Sequence, residues 1–153
     1  MKAQTSAGKH LEDFKGKLKI CIVSAPYYKD ITANLVSGAL NILKKIQADT
    51  EMVEVSGALE IPTAIKLMES EFDGFIAIGC VIRGETTHYE IVSTESSRGL
   101  TYLGLEKICI GNAILTVENR LQAEERADPK ILDKGGEACN ALLSLIKIKG
   151  RDH

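Results

Sequence analysis

The sequence predicts a three-layer α/β sandwich, in which a four-stranded parallel sheet is covered on both faces by helices. Two observations predict it. Short apolar runs alternate along the chain with longer stretches whose apolar residues recur at helical spacing. The connections between them are short, so each helix must carry the chain back to begin another parallel strand. The length, 153 residues, is that of one domain able to bury most of its apolar surface.

Leu18 to Ala25 reads as a buried strand, broken by Pro26-Tyr27-Tyr28. Ile31, Leu35, Ala39, Ile42, Leu43 and Ile46 then share one face of a helix. Glu51 to Val55 reads as a second strand, followed by a turn at Ser56-Gly57. Glu60 to Glu71 is expected to be helical, with Pro62 in the first turn, where a missing N–H costs little. Phe75 to Val81 is the third strand. The loop Ile82 to Thr87 leads into a helix of roughly five turns that ends near Leu105. Lys107 to Ile110 is the expected fourth strand, with Thr116 capping a short helix through Ala127. Gly135-Gly136 opens a last helix that runs to about Ile148. Right-handed crossovers restrict such a chain to a small flavodoxin-like or Rossmann-like sandwich. The organisation expected is a polar arm over 1–17, one domain over 18–148 and a short tail over 149–153.

Composition excludes several classes of function. With 44% hydrophobic and 26% charged residues the chain lies far from the disordered range. A formal net charge of −2 lacks the basic excess that a nucleic-acid partner demands. No stretch approaches the roughly 20 apolar residues that cross a bilayer, so no membrane partner is expected. Met1 to Lys17 has no apolar run behind its lysines and does not read as a secretory signal. Cys21, Cys80, Cys109 and Cys139 are dispersed without CxxC spacing, which fits buried free thiols in a reducing, cytoplasmic compartment.

In parallel sheets ligands gather at the carboxyl ends of the strands. That points to Tyr27-Tyr28, Ser56 to Glu60, Cys80 to His88, and Asn112 to Thr116. The third segment, Gly79-Cys80-Val81-Ile82-Arg83-Gly84-Glu85-Thr86-Thr87-His88, carries the most chemistry. Free N–H groups and the dipole at a helix start attract an anion, Thr86 and Thr87 add hydroxyl donors, and His88 lies in the first turn. The same spacing also fits an ordinary Thr-capped helix with a surface histidine. No GxxxxGK[ST] loop is present, which argues against nucleoside triphosphates.

In Ser56-Gly57-Ala58-Leu59-Glu60-Ile61-Pro62, small residues permit close approach of backbone groups to a flat or polyol ligand, and Glu60 can accept from its hydroxyls. A helix-start acid is the plainer alternative for Glu60. Arg120 has Glu124 at i+4, an ordinary surface pair. Arg126 has no acid on its own helical face, so its guanidinium is available to a phosphate or is simply solvated. Lys134 is a second candidate cation or a loop lysine, Tyr27 or Tyr28 a stacking ring or a loop anchor, and Arg83 a residue that holds its loop.

Together these segments resemble the lumazine synthase family from about Lys17 to Lys147. Three blocks carry the resemblance: Gly57-Ala58-x-Glu60-Ile61-Pro62; Gly79-x-Val81-Ile82-Arg83-Gly84-x-Thr86-x-His88; and Leu115-Thr116-x-Glu118-Asn119-x-x-Gln122-Ala123-x-x-Arg126-Ala127. The resemblance implies a flavodoxin-like sandwich whose sheet is either four-stranded or extended by an N-terminal strand from a neighbouring subunit. It further implies a homopentamer with active sites at subunit interfaces and no metal or organic cofactor. The implied substrates are 5-amino-6-(D-ribitylamino)uracil and 3,4-dihydroxy-2-butanone 4-phosphate.

By the same resemblance Tyr27 stacks on the pyrimidine, while the Ala58 and Leu59 backbone and the Glu60 carboxylate hold the ribityl chain. Val81 and Ile82 backbone meet the pyrimidine edge, and Glu85 and Thr86 flank the phosphate. His88 transfers protons, Arg126 and the Asn112 position arrive from the neighbouring subunit, and Lys134 lies near the neighbour's contribution. Ser56 replaces a frequent Pro, Asn112 replaces a common Phe, and Asp128 to Asp133 lacks the Gly-rich loop of shell-forming members, which implies a free pentamer. A carrier of flavin or lumazine on the same fold, without catalysis, would need Tyr27 and Glu60 but neither His88 nor Arg126.

Overall fold

The structure, a computed structural model, describes residues 14 and 16–151, so most of the expected polar arm and the end of the tail lie outside the described residues. Four parallel strands, β1 (Lys19–Ser24), β2 (Asp49–Glu54), β3 (Gly74–Ile82) and β4 (Ile110–Val117), stand in the order β2-β1-β3-β4. Five helices connect and follow them: α1 (Lys29–Lys45), α2 (Ile61–Leu67), α3 (His88–Leu105), α4 (Arg120–Ala127) and α5 (Lys134–Lys149). This is the flavodoxin-like arrangement, and the topology reverses direction between β1 and β3.

Strand alternation sorts the core into two layers. Ile20 and Ile22 of β1 and Ile76 and Ile78 of β3 point toward α1, α4 and α5, where they pack with Leu35, Leu142 and Leu143. Cys21, Val23, Phe75 and Ala77 point the other way, against Ile65 of α2 and Leu100 and Leu103 of α3. Because β1 and β3 are buried on both faces, they read in the sequence as unbroken apolar runs.

β4 is displaced from its expected position: it begins at Ile110, where the Lys107 to Ile110 strand was to end, and it contains Thr116. Lys107, at φ 72°, belongs to the turn that closes α3. The true strand is half-buried, with Gly111, Ala113, Leu115 and Val117 inward, and its small and polar residues hide the run. Gly111 is needed there because a Cβ would lie 2.1 Å from the Ala138 carbonyl oxygen of α5. Thr116 is therefore no helix cap. Asn119 takes that part, its Oδ1 accepting from Gln122 N at 2.9 Å while Gln122 Oε1 accepts from Glu118 N at 2.8 Å. Likewise α2 stops at Leu67, short of Glu71, and Glu60 belongs to the short 3₁₀ turn Ala58–Glu60 before it.

Asp133 starts α5 from a left-handed backbone (φ 46°), and its Oδ1 accepts from Gly136 N at 3.1 Å. Burial, opposed by that hydrogen bond, raises its carboxyl above the usual range. A raised folded-state pKa gives stability that is full below the unfolded pKa and is lost as pH rises through the folded one. Asp133→Asn keeps the acceptor, suits the left-handed conformation and cannot ionise. It should melt at or above the wild type at neutral pH, with the gap closing as acid protonates Asp133. Asp133→Ala, losing the cap, should cost about 1–2 kcal/mol. Thermal melts from acidic to neutral pH check both, and an Asn variant less stable than the Ala variant would contradict the capping role.

Candidate active site

A cleft of about 390 Å³ opens at the carboxyl ends of β1, β2 and β3, beside the reversal of strand order. Three segments and one helix build it. β1 continues through Ala25, whose N–H still donates to Ile78 O at 2.9 Å, and the chain then turns away at Pro26. Tyr27 and Tyr28 follow, their rings edge to face with centroids 4.9 Å apart. Tyr27 is 79% exposed, so one ring face is available to a ligand at the cleft wall. Beyond β2, Ser56, Gly57, Ala58, Leu59 and Glu60 form the opposite wall. The tight turn, with Glu60 N donating to Gly57 O at 3.1 Å, brings the Glu60 carboxylate back over Ser56.

The floor comes from β3. Its backbone groups alternate between neighbours: Ile78 O faces β1, and Arg83 N faces β4, donating to Val117 O at 2.9 Å. Cys80 and Ile82 therefore face the β1 side, which is vacated once β1 turns at Pro26, and their peptide groups are open to a ligand. Those of Val81 are shared with β4, so Val81 contributes a side-chain wall toward Val92. Cys80 is free, and burial pushes its thiol up to about 11, with Arg120 opposing; near neutrality it is a protonated wall residue and no nucleophile.

His88 is the first residue of α3 and lines the cleft, one helical turn before Val92. Thr86 Oγ1 accepts from His88 N at 3.3 Å, whereas Thr87, the cap residue, makes no side-chain cap bond. Arg83 is committed elsewhere. It bonds Glu118 Oε2 at 2.8 Å, pairs with Glu90, and lies 4.3 Å from the Tyr89 ring centroid. It holds the Ile82 to Thr87 loop between α3 and the approach to α4, as its sequence position suggests.

Of the residues singled out in the sequence, Tyr27, Ala58, Leu59, Glu60, Val81, Ile82 and His88 line this one cleft. Glu85 and Thr86 sit on the exposed loop at its rim and do not line it. Asn112 lies early in β4, paired with Ala77, and is not at a strand end as expected. Its Oδ1 accepts from Ile114 N at 2.9 Å, and it borders a separate hollow with Ser97, Thr101 and Leu145. Arg126 is half-buried on α4. Its Nη1 donates to Gln122 O at 3.2 Å, and among the described residues it pairs with no carboxylate. Lys134 is compensated by Glu137 Oε2 at 3.0 Å. Neither cation lines the cleft of its own chain.

Sequence reasoning missed Val92, although a residue four places beyond His88 shares its helical face. It also missed the partner of Arg120: besides Glu124 at 3.1 Å, the guanidinium pairs with Asp30 of α1 and ties the starts of α1 and α4 together. Among the described residues no group of three His, Cys, Asp or Glu could hold a metal ion.

The sequence model of the family described as 6,7-dimethyl-8-ribityllumazine synthase matches residues 17–150. A protein named 6,7-dimethyl-8-ribityllumazine synthase from Jannaschia sp. (strain CCS1) is 51% identical over 140 residues, covering 90% of this chain and 79% of the relative. Another of that name, from Novosphingobium aromaticivorans, is 50% identical over 135 residues, covering 87% of this chain and 97% of the relative. One from Erythrobacter litoralis is also 50% identical over 135 residues, covering 87% and 96%.

Proposed function

This chain belongs to the 6,7-dimethyl-8-ribityllumazine synthase family, and from that premise we propose that its cleft joins a ribitylaminouracil to a butanone phosphate in riboflavin biosynthesis. The substrates are 5-amino-6-(D-ribitylamino)uracil and 3,4-dihydroxy-2-butanone 4-phosphate; the products are the lumazine, phosphate and water. The observation that carries this reading is the convergence of Tyr27, Glu60, Ile82 and His88 on one cleft at the strand ends.

Each wall suits one part of the chemistry. Tyr27 offers a face to the pyrimidine, the open Cys80 and Ile82 peptides suit its polar edge, and the Ser56 to Glu60 turn suits the ribityl chain. The amine condenses with the ketone, phosphate leaves and the ring closes. None of these steps requires an enzyme nucleophile, so holding two substrates in reacting geometry supplies most of the acceleration. The start of α3, with the Glu85 and Thr86 loop, receives the phosphate, and His88 moves protons between amine, carbinol and leaving oxygen.

The phosphate needs a cation, and Arg126 and Lys134 stand outside their own cleft. A neighbouring subunit supplies them, together with Asn112, across a head-to-tail contact that closes as a free pentamer. Exposed Leu67, Tyr102 and Leu105 on one side and Leu121, Ile131 and Leu132 on another supply apolar area for such contacts. The edge strand β2, with Met52 exposed, has room for a strand from a neighbour's N-terminal arm. A reducing, cytoplasmic setting suits the free thiols of Cys21, Cys80, Cys109 and Cys139. No helix among the described residues is long and apolar enough to cross a membrane.

Mixing the purified protein with both substrates should produce lumazine fluorescence and inorganic phosphate together, with neither product when one substrate is omitted. Tight binding of the pyrimidine with no turnover would instead identify a carrier of flavin or lumazine.

A further inference from the structure

We propose that Ser56 is a positioning residue for the polyol arm of the pyrimidine substrate, its hydroxyl holding the Glu60 carboxylate in the orientation that receives the ribityl hydroxyls. The proposal rests on the reaction assigned above and deepens one wall of the same cleft.

The local chain geometry carries it. β2 ends at Glu54, but Val55 N still donates to Ser24 O at 2.8 Å, so the backbone entering Ser56 is anchored to the sheet. Gly57 is extended, and the following turn returns the chain so that Glu60 faces back over Ser56. Ser56 Oγ donates to Glu60 Oε1 at 3.2 Å. The other oxygen, Oε2, lies above Gly57, where a Cβ would come within 3.3 Å of it. One oxygen is thus held by a hydroxyl and the other rests over a residue without a side chain. Both Ser56 and Glu60 line the cleft.

Two consequences follow from the hydrogen-bond inventory. A serine hydroxyl has one donor; given to Glu60, it leaves only lone pairs for a ligand. The carboxylate is also an acceptor, so the two polar side chains of this wall accept and do not donate. They match a chain of adjacent O–H donors and repel a phosphate, which keeps the second substrate toward the α3 end of the cleft. An exposed glutamate ordinarily loses rotamer freedom when it binds a ligand, and the brace sets that orientation beforehand.

Steady-state kinetics with both substrates test this in wild type, Ser56→Ala and Ser56→Thr, and for Ser56→Ala again in a Glu60→Ala background. Ser56→Ala should raise KM for the ribitylaminouracil about 3- to 10-fold, the worth of one neutral to charge-assisted hydrogen bond, with kcat within about twofold. KM for the ketone phosphate should not move, and Ser56→Thr should restore the wild-type value. In the Glu60→Ala background Ser56→Ala should have no further effect, because there is no carboxylate left to hold. An unchanged KM in Ser56→Ala, an equal rise for both substrates, or a full effect without Glu60 would overturn the brace. A wild type that forms no lumazine defeats the reaction itself, whereas an active wild type indifferent to Ser56→Ala defeats the brace alone.

Discussion

His88→Ala should slow turnover by roughly 10- to 10³-fold without abolishing it, because general acid–base catalysis is lost while substrate positioning survives. The imidazole offers both a ring N–H donor and a ring nitrogen acceptor to the cleft, which suits it to give and take protons during condensation, elimination and ring closure. Its position at the first residue of α3 fixes the ring relative to Val92 one turn later and to the loop that Arg83 holds with Glu118 and Glu90. Removing the side chain leaves that loop and the Tyr27 and Glu60 walls in place. KM values for both substrates should therefore stay within a few-fold of wild type, and free imidazole in the assay should recover part of the lost rate. A variant with wild-type kcat would remove His88 from the chemistry. A variant unable to bind the pyrimidine would show instead that the residue is structural.

The parts of the molecule that the sequence makes legible are those whose physics is local. β1 and β3 are buried on both faces, so Ile20 to Val23 and Phe75 to Ile78 stand out as apolar runs. β4 escapes because a half-buried strand alternates, and its inward positions include Gly111 and Ala113, chosen for closeness to α5 more than for hydrophobicity. Once β4 is misjudged, the helix start moves with it: Thr116 is taken for the cap that Asn119 provides.

The cleft was largely legible, since strand ends in a parallel sheet gather at one edge and Tyr27, Ser56 to Glu60 and Val81 to His88 each follow a strand. The Asp30–Arg120 pair was not, because helical spacing reveals only partners within a turn, and these two meet only after β1, β3 and β4 bring α1 and α4 together. Arg126 is an intermediate case. Its lack of an acidic neighbour is readable from spacing, but its separation from the cleft of its own chain becomes visible only in three dimensions.

That separation gives Arg126→Ala a distinctive expected result. A charge-assisted hydrogen bond to phosphate contributes about 1.5–3 kcal/mol, so KM for the ketone phosphate should rise roughly 10- to 10²-fold. KM for the ribitylaminouracil should hardly change, since nothing in the pyrimidine or ribityl walls involves α4. Arg126→Lys should recover the charge but not the planar fork, and so fall between the two. Ala123 and Ala127 anchor α4 in the core, and among the described residues Arg126 donates only to a carbonyl of its own helix, so the substitution should leave the melting temperature nearly unchanged. The decisive measurement combines both variants. If the imidazole and the guanidinium of one site come from adjacent subunits, oligomers assembled from His88→Ala and Arg126→Ala chains contain some intact sites. Random mixing around a head-to-tail ring makes about one quarter of the sites carry both groups. At ketone phosphate well below its KM, where each variant alone is at least about 10-fold slow, activity should therefore rise to roughly one quarter of wild type and exceed both parents. If mixed oligomers form and remain as slow as the parents, the two groups do not meet across a subunit contact, and the phosphate must be held by the start of α3 within a single chain.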